Sequence, residues 1–169
     1  SIWAQNQIVA RSFVAFSDER IKNVLGRSDD ASDLKMLQGI EVADYTYKDV
    51  IGKGNRPQKK VIAQQVEKLF PQAVSATTVV VSDIFNLASV SNGGINIGTD
   101  LKAGDRVKLI TDKEESVREV METRKGGFRC DSTPAVSKVF VFGREVKDFL
   151  QVDYDAIAML NVSSTQELA

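Results

Sequence analysis

The hydrophobic and polar positions of this chain change register every few residues, which predicts many short elements. Residues 8–16 carry Ile8, Val9, Phe13, Val14 and Phe16, a β-branched and aromatic run that predicts a strand. Ser17 and Asp18 then break the pattern, as residues that cap helices or start turns. Ile21, Val24 and Leu25 fall at helical spacing, and Gly26 would end so short a helix. Asp29, Asp30, Ser32 and Asp33 offer N-caps to a second short helix, which carries Leu34, Met36 and Leu37 and stops at Gly39. Residues 42–48 alternate as a strand. Residues 52–60, with Pro57 and the basic side chains Lys53, Arg56, Lys59 and Lys60, read as a turn or a mobile, solvated loop. Ile62, Val66, Leu69 and Phe70 share one helical face, closed by Pro71, and residues 77–82 form another β-branched strand.

From Asp83 to Phe149 short strands alternate with turn clusters at 91–94, 102–105, 125–127 and 131–134. The clearest strands are 106–110 and 138–143. The segment reads as a β-rich insertion of antiparallel hairpins. Val152, Asp153 and Tyr154 then lead into a final helix with Ile157, Leu160 and Leu168 on its apolar side. The predicted class is α+β: a small mixed core of short helices and strands, a β-rich insertion and a C-terminal helix. The boundaries expected are 1–16, 17–82, 83–149 and 150–169.

Composition narrows the functions. At 169 residues and 43% hydrophobic, the chain can bury one real core. A formal charge of -1 gives no overall basic field to draw nucleic acid or an anionic membrane, so neither is expected as a partner. No apolar run approaches membrane-spanning length and no leader peptide is evident. A single cysteine, Cys130, forbids an internal disulfide and reads as a buried small hydrophobe in a protein folded in a reducing compartment. The chain starts with Ser1 rather than Met, in abruptly apolar sequence, and ends within a helical pattern. It is therefore expected to be a piece of a longer, fibrous protein, with Trp3 and the first strand belonging to its stalk.

The chain has no histidine. That removes Ser-His-Asp and Cys-His nucleophile pairs and nearly excludes structural zinc, so no metal or cofactor is expected. Nucleophilic chemistry here needs a lysine or a carboxylate as base. The best candidate is Ser17 with Lys22, at the strand-to-helix junction. A lysine amine is a base at neutral pH only when burial or a neighbouring positive charge such as Arg20 disfavours its ammonium form. Residues five apart on a regular helix differ by about 140° around the axis and would not meet. Ser17 must therefore lie outside the helix, at the corner, or Lys22 must reach a serine of another subunit. On spacing alone, a helix cap followed by solvated charges is the default reading of these residues. Other clusters are weaker. Gly52 to Pro57 lacks the order of a phosphate loop. Asp29, Asp30 and Asp33 lack the glycine and distal glutamate of a calcium loop, which leaves capping.

Two stretches carry a family resemblance. Residues 17–22 (Ser-Asp-Glu-Arg-Ile-Lys) resemble the opening signature of the intramolecular chaperone of endosialidase family. Residues 60–74, from Lys60 through Gln64, Gln65, Val66 and Glu67 to Pro71 and Val74, resemble its second signature. The aromatic strand around Tyr45 and Tyr47 and the Val152-Asp153-Tyr154 lead-in are similar as well. Gln65 stands where the family more often has Glu, and Lys60 where glycine is common. The 83–149 segment is longer than in a minimal member, and the last helix is shorter than the usual coiled-coil tail.

The resemblance implies a C-terminal domain of phage tail fibres, tailspikes and neck appendages, also found in myelin regulatory factor. Such a domain holds three chains in register while the upstream fibre folds, then cuts itself off. Carried over residue by residue, it implies a homotrimer whose last helix starts a coiled coil, with cleavage between Phe16 and Ser17. Ser17 is then the nucleophile, Lys22 the general base, and Asp18, Arg20, Gln64 and Gln65 shape the site. The precursor would fold in a host cytoplasm, the fibre would join the virion tail and the chaperone would be released. The alternatives carried forward are a non-cleaving trimer clamp and a module whose β-rich segment grips a partner or glycan.

Overall fold

A computed structural model describes residues 8–169. Trp3 and the rest of residues 1–7 lie outside the described residues. The first helix, α1 (Asp30–Gly39), is capped by Asp29, whose Oδ1 accepts from Ser32 N at 3.1 Å. Its long partner is α4 (Tyr154–Glu167), whose cap Asp153 accepts from Asp155 N and Ala156 N. The two helices pack together, with the Ser163 hydroxyl donating to Asp30 Oδ1 at 2.7 Å across the contact. Leu160 and the small Ser163 and Ser164 are the buried residues of α4, and small residues let the helices approach closely. Ile157 is half-buried, whereas Leu168, expected on the apolar side, is exposed.

Between these helices the chain forms an antiparallel hairpin of β1 (Val42–Tyr45) and β2 (Gln58–Val61), with the single turn α2 (Val50–Lys53) in its connection. The predicted mobile loop over 52–60 is thus corrected in its second half. Lys59 lies opposite Asp44 in the ladder and pairs with it at 2.7 Å, and Lys60 sits 5.9 Å from the Tyr154 ring. Cross-strand pairing offsets the weak strand propensity of these lysines. Helix α3 (Ala63–Leu69) follows and buries Val66. Pro71 ends it by opening a 3-10 turn, Pro71–Ala73.

The β-rich half is a closed barrel. After β3 (Val74–Val80) come β4 (Asn86–Ser91), β5 (Gly94–Asn96), β6 (Arg106–Ile110), β7 (Glu115–Arg124), β8 (Gly127–Cys130) and the fifteen-residue β9 (Lys138–Val152). The order β9-β4-β5-β8-β7-β6 closes because β6 pairs back onto β9. The predicted antiparallel hairpins are present. Their turn at Asn92-Gly93 has both residues at positive φ (50° and 69°), the primed geometry that suits a twisted hairpin. Alternate inward positions fill the barrel: Ile95, Val107, Leu109, Val120, Phe128, Val139 and Val141 are essentially inaccessible, with Cys130 buried beside them. The main core of the molecule is therefore inside this barrel. Residues 138–144 of β9 belong to the barrel and residues 145–152 run on to pair with β3.

Two N-terminal expectations are corrected. Residues 8–16 form no strand and lie exposed, paired with no described strand of the chain. Ile21, Val24 and Leu25 form no α-helix; among the described residues the only regular structure before α1 is a 3-10 turn, Glu19–Ile21. Those three residues stand 68%, 67% and 101% exposed, so no packing rewards a helix that is too short to stand alone.

Candidate functional site

The corner at Ser17 is built by its polar residues. Asp18 is extended (φ -66°, ψ 135°) and caps the 3-10 turn, its Oδ1 accepting from Arg20 N at 2.8 Å. The Arg20 guanidinium grips the same carboxylate with both prongs, Nε to Oδ1 at 2.9 Å and the terminal nitrogen to Oδ2 at 2.7 Å. That fork lowers the Asp18 pKa and raises that of Arg20. Lys22 closes the turn, its N–H donating to Glu19 O at 3.0 Å, and leaves in extended geometry.

Ser17 and Lys22 thus flank one turn of tight helix, and the turn brings them together. The Lys22 Nζ lies 2.6 Å from Ser17 Oγ. The five-residue spacing forbids this contact along an α-helix, and the extended residues at each end permit it. Chemically the pair can act in two ways. As an ammonium, Lys22 donates to the hydroxyl and simply holds it. As a neutral amine, it accepts the hydroxyl proton and makes Oγ a nucleophile. Both side chains are exposed, and Phe16 on the other side of the corner is 96% exposed. The dehydration that a lysine base requires is not supplied by the surroundings of the turn.

The remaining expected residues lie elsewhere. Gln65 ties helices together: its Nε2 donates to Gly39 O at 2.7 Å, and its Oε1 accepts from Glu41 N at 3.2 Å. This amide uses both a donor and an acceptor at the end of α1, a task a glutamate could not perform with the same polarity. Gln64 lines a groove of about 480 Å³ with Tyr45, Ile62, Phe149 and Tyr154. The described hydrogen bonds of 17–22 are all local, so the structure brings Ser17, Asp18, Arg20 and Lys22 together and leaves Gln64 and Gln65 apart from them. The acidic cluster behaves as caps and pairs. Asp29 caps α1, Asp30 pairs with Arg27 at 2.5 Å, and Asp33 accepts from Ser28 at 2.5 Å.

An aromatic group beside the hairpin escaped the sequence reading. Tyr45 and Tyr47 meet edge-to-face at 5.5 Å, with Tyr154 nearby. The hydrogen bond with Tyr47, then burial, then the two neighbouring phenols push the Tyr45 pKa up to about 12. The alternation of 42–48 placed Tyr45 and Tyr47 on one face, but only the fold supplies Tyr154.

Comparison with known proteins agrees with the first signature. Residues 17–75 match the family model described as chaperone of endosialidase, whose family name marks it as a peptidase. The match begins at Ser17 and bears out the resemblance read from the two signatures. No curated protein matches the chain.

Proposed function

We propose, from the chaperone-of-endosialidase match over residues 17–75, that this chain is a self-releasing trimerisation chaperone. Three copies assemble through their C-terminal parts, hold an upstream β-fibre in register, and then cut the Phe16-Ser17 bond. The observation that carries this reading is the 2.6 Å contact between Lys22 and Ser17 across a single 3-10 turn, at the first residue of the family match.

In the proposed reaction neutral Lys22 takes the Ser17 hydroxyl proton, and Oγ attacks the carbonyl carbon of Phe16 through a five-membered ring. The C–N bond to Ser17 breaks, and the Lys22 ammonium returns the proton to the leaving nitrogen. Phe16 is now an ester of Ser17 Oγ. Water hydrolyses the ester, leaving a Phe16 carboxylate and a free Ser17 amine and hydroxyl. Because the pair is exposed in one chain, assembly is what dehydrates the lysine, which delays the cut until the three chains are aligned. Slow, non-local fibre contacts need such alignment, and removal of the chaperone leaves the fibre persisting by its unfolding rate. The precursor folds in the host cytoplasm and the fibre goes on to the virion tail.

The test is the mass of the chain expressed behind its native upstream sequence. Two fragments split at Phe16-Ser17 are expected, with one intact species for Ser17→Ala and for Lys22→Ala. An intact wild-type chain that still sediments as a trimer selects the non-cleaving clamp, the reading that the solvent exposure of Lys22 favours. Cleavage unchanged in both variants defeats the proposed dyad.

A further inference from the structure

Strand β3 (Val74–Val80) is an unguarded sheet edge. It pairs with β9 on one side and with no strand on the other among the described residues. Half of its backbone N–H and C=O groups therefore point away from the sheet. Natural edges are blunted with charges, proline or short length, yet these seven residues include no charge and no proline. An open groove of about 790 Å³ reaches residues 78–82 at the end of this strand, and Val79, Val81, Val117, Phe142 and Phe149 are among the residues that line it. Its charges balance, Lys48, Lys53 and Lys108 against Asp49, Glu115 and Glu145. Glu115 is paired with Lys108 and Glu145 with Arg106. A strongly charged partner gains little there; an extended apolar one gains backbone pairing and burial together.

Among the described residues one segment of that kind is without a place. Residues 8–16 have strand composition and a single charge, Arg11. Ile8, Val9, Phe13, Val14 and Phe16 are 53% to 96% exposed. Period-two alternation puts Ile8, Ala10, Val14 and Phe16 on one face. We infer that residues 8–16 of a second copy of this chain add as a strand to the free edge of β3 and lay that face in the groove. The inference rests on the trimeric reading above and deepens it. Docking ends at Phe16, so it immobilises the acyl half of the scissile bond beside Ser17 and couples assembly to cleavage.

Hydrogen exchange of residues 74–80 tests this in the Ser17→Ala chain, which keeps 8–16 attached. Protection at β3 is expected in the trimer. It should be lost when residues 1–16 are removed, and lost equally in Val14→Glu, a change outside the folded core that cannot unfold the barrel. Protection should also vanish on dilution to monomers. Protection that survives dilution assigns the docking to the chain's own segment and overturns the second-copy assignment. A trimer whose β3 exchanges equally with and without 8–16 overturns the inference and leaves the chaperone reading standing. A Ser17→Ala chain that is monomeric at every concentration overturns the trimeric reading itself.

Discussion

A lysine and a serine within hydrogen-bonding distance become a catalyst only if the lysine can lose its proton where it sits. At the Ser17 corner the contact depends on two extended residues around a three-residue turn, where the Arg20 guanidinium grips the Asp18 carboxylate with both prongs. Were Asp18 free to face Lys22, its charge would hold the ammonium form. Under the proposed mechanism Arg20→Gln is therefore expected to slow self-cleavage without changing the oligomeric state, measured as the fraction of intact precursor against time. Lys22→Arg should abolish cleavage, because a guanidinium keeps the charge but does not give up its proton. Cys130 offers a contrasting case, since burial, with Asp131 adding to it, pushes its thiol up to about 11. In native buffer at pH 8 it should react negligibly with a disulfide reagent, and in urea at the rate of a free thiol. Fast labelling of the native chain would mean that the barrel opens readily.

Packing between elements is where sequence and structure parted. The caps of α1 and α4 were legible, since Asp29 and Asp153 sit where an acidic residue precedes an apolar period. The α1-α4 contact was not, because it includes Ser163, bonded to Asp30, and α4 also buries Ser164, both residues that a hydropathy pattern assigns to solvent. The hydrogen bond from Ser163 to Asp30, whose side chain is only 14% exposed, should carry much of that docking. Asp30→Ala or Ser163→Val is expected to cost about 1–3 kcal/mol in urea unfolding. Asp33 adds a pH dependence. The Ser28 hydroxyl, helped by Ser163, holds its carboxyl below the ordinary 3.8. A depressed carboxyl stabilises the fold above its unfolded value and loses that contribution as pH falls through the folded one. Stability from this element should be flat above pH 5 and decline below about 3.8, and Asp33→Asn should flatten the decline. Segment 8–16 failed for a related reason. Its strand pattern is real, but a strand needs a partner, and pattern alone says nothing about which chain supplies one.

At the scale of the whole molecule, β9 runs from the barrel into its pairing with β3, and one glycine lets it turn. The turn clusters and strands of 83–149 were readable residue by residue, but closure was not, because it depends on β6 returning to β9 from some thirty residues away. Where β9 leaves β6 for β3 the register slips opposite Lys108 and Leu109, and Gly143 sits at the slip with φ 158°. A Cβ there would run into the carbonyl of Val81 and within 2.9 Å of the Asp83 nitrogen. Arg144 next to it donates through its backbone to Asp83 Oδ1 at 3.0 Å and through its guanidinium to Asp83 and Asp100, locking the same crossing. Gly143→Ala must therefore push apart the β3–β9 junction or break the barrel closure, and a loss of more than about 2 kcal/mol is expected. The two outcomes separate in the measurement. If the junction yields, Cys130 stays unreactive while β3 amides exchange faster. If the barrel opens, Cys130 becomes reactive as well. The first result would make the barrel a folding unit that survives without its hinge. The second would make this glycine the residue through which the barrel's core and the β3 edge hold or fail as one.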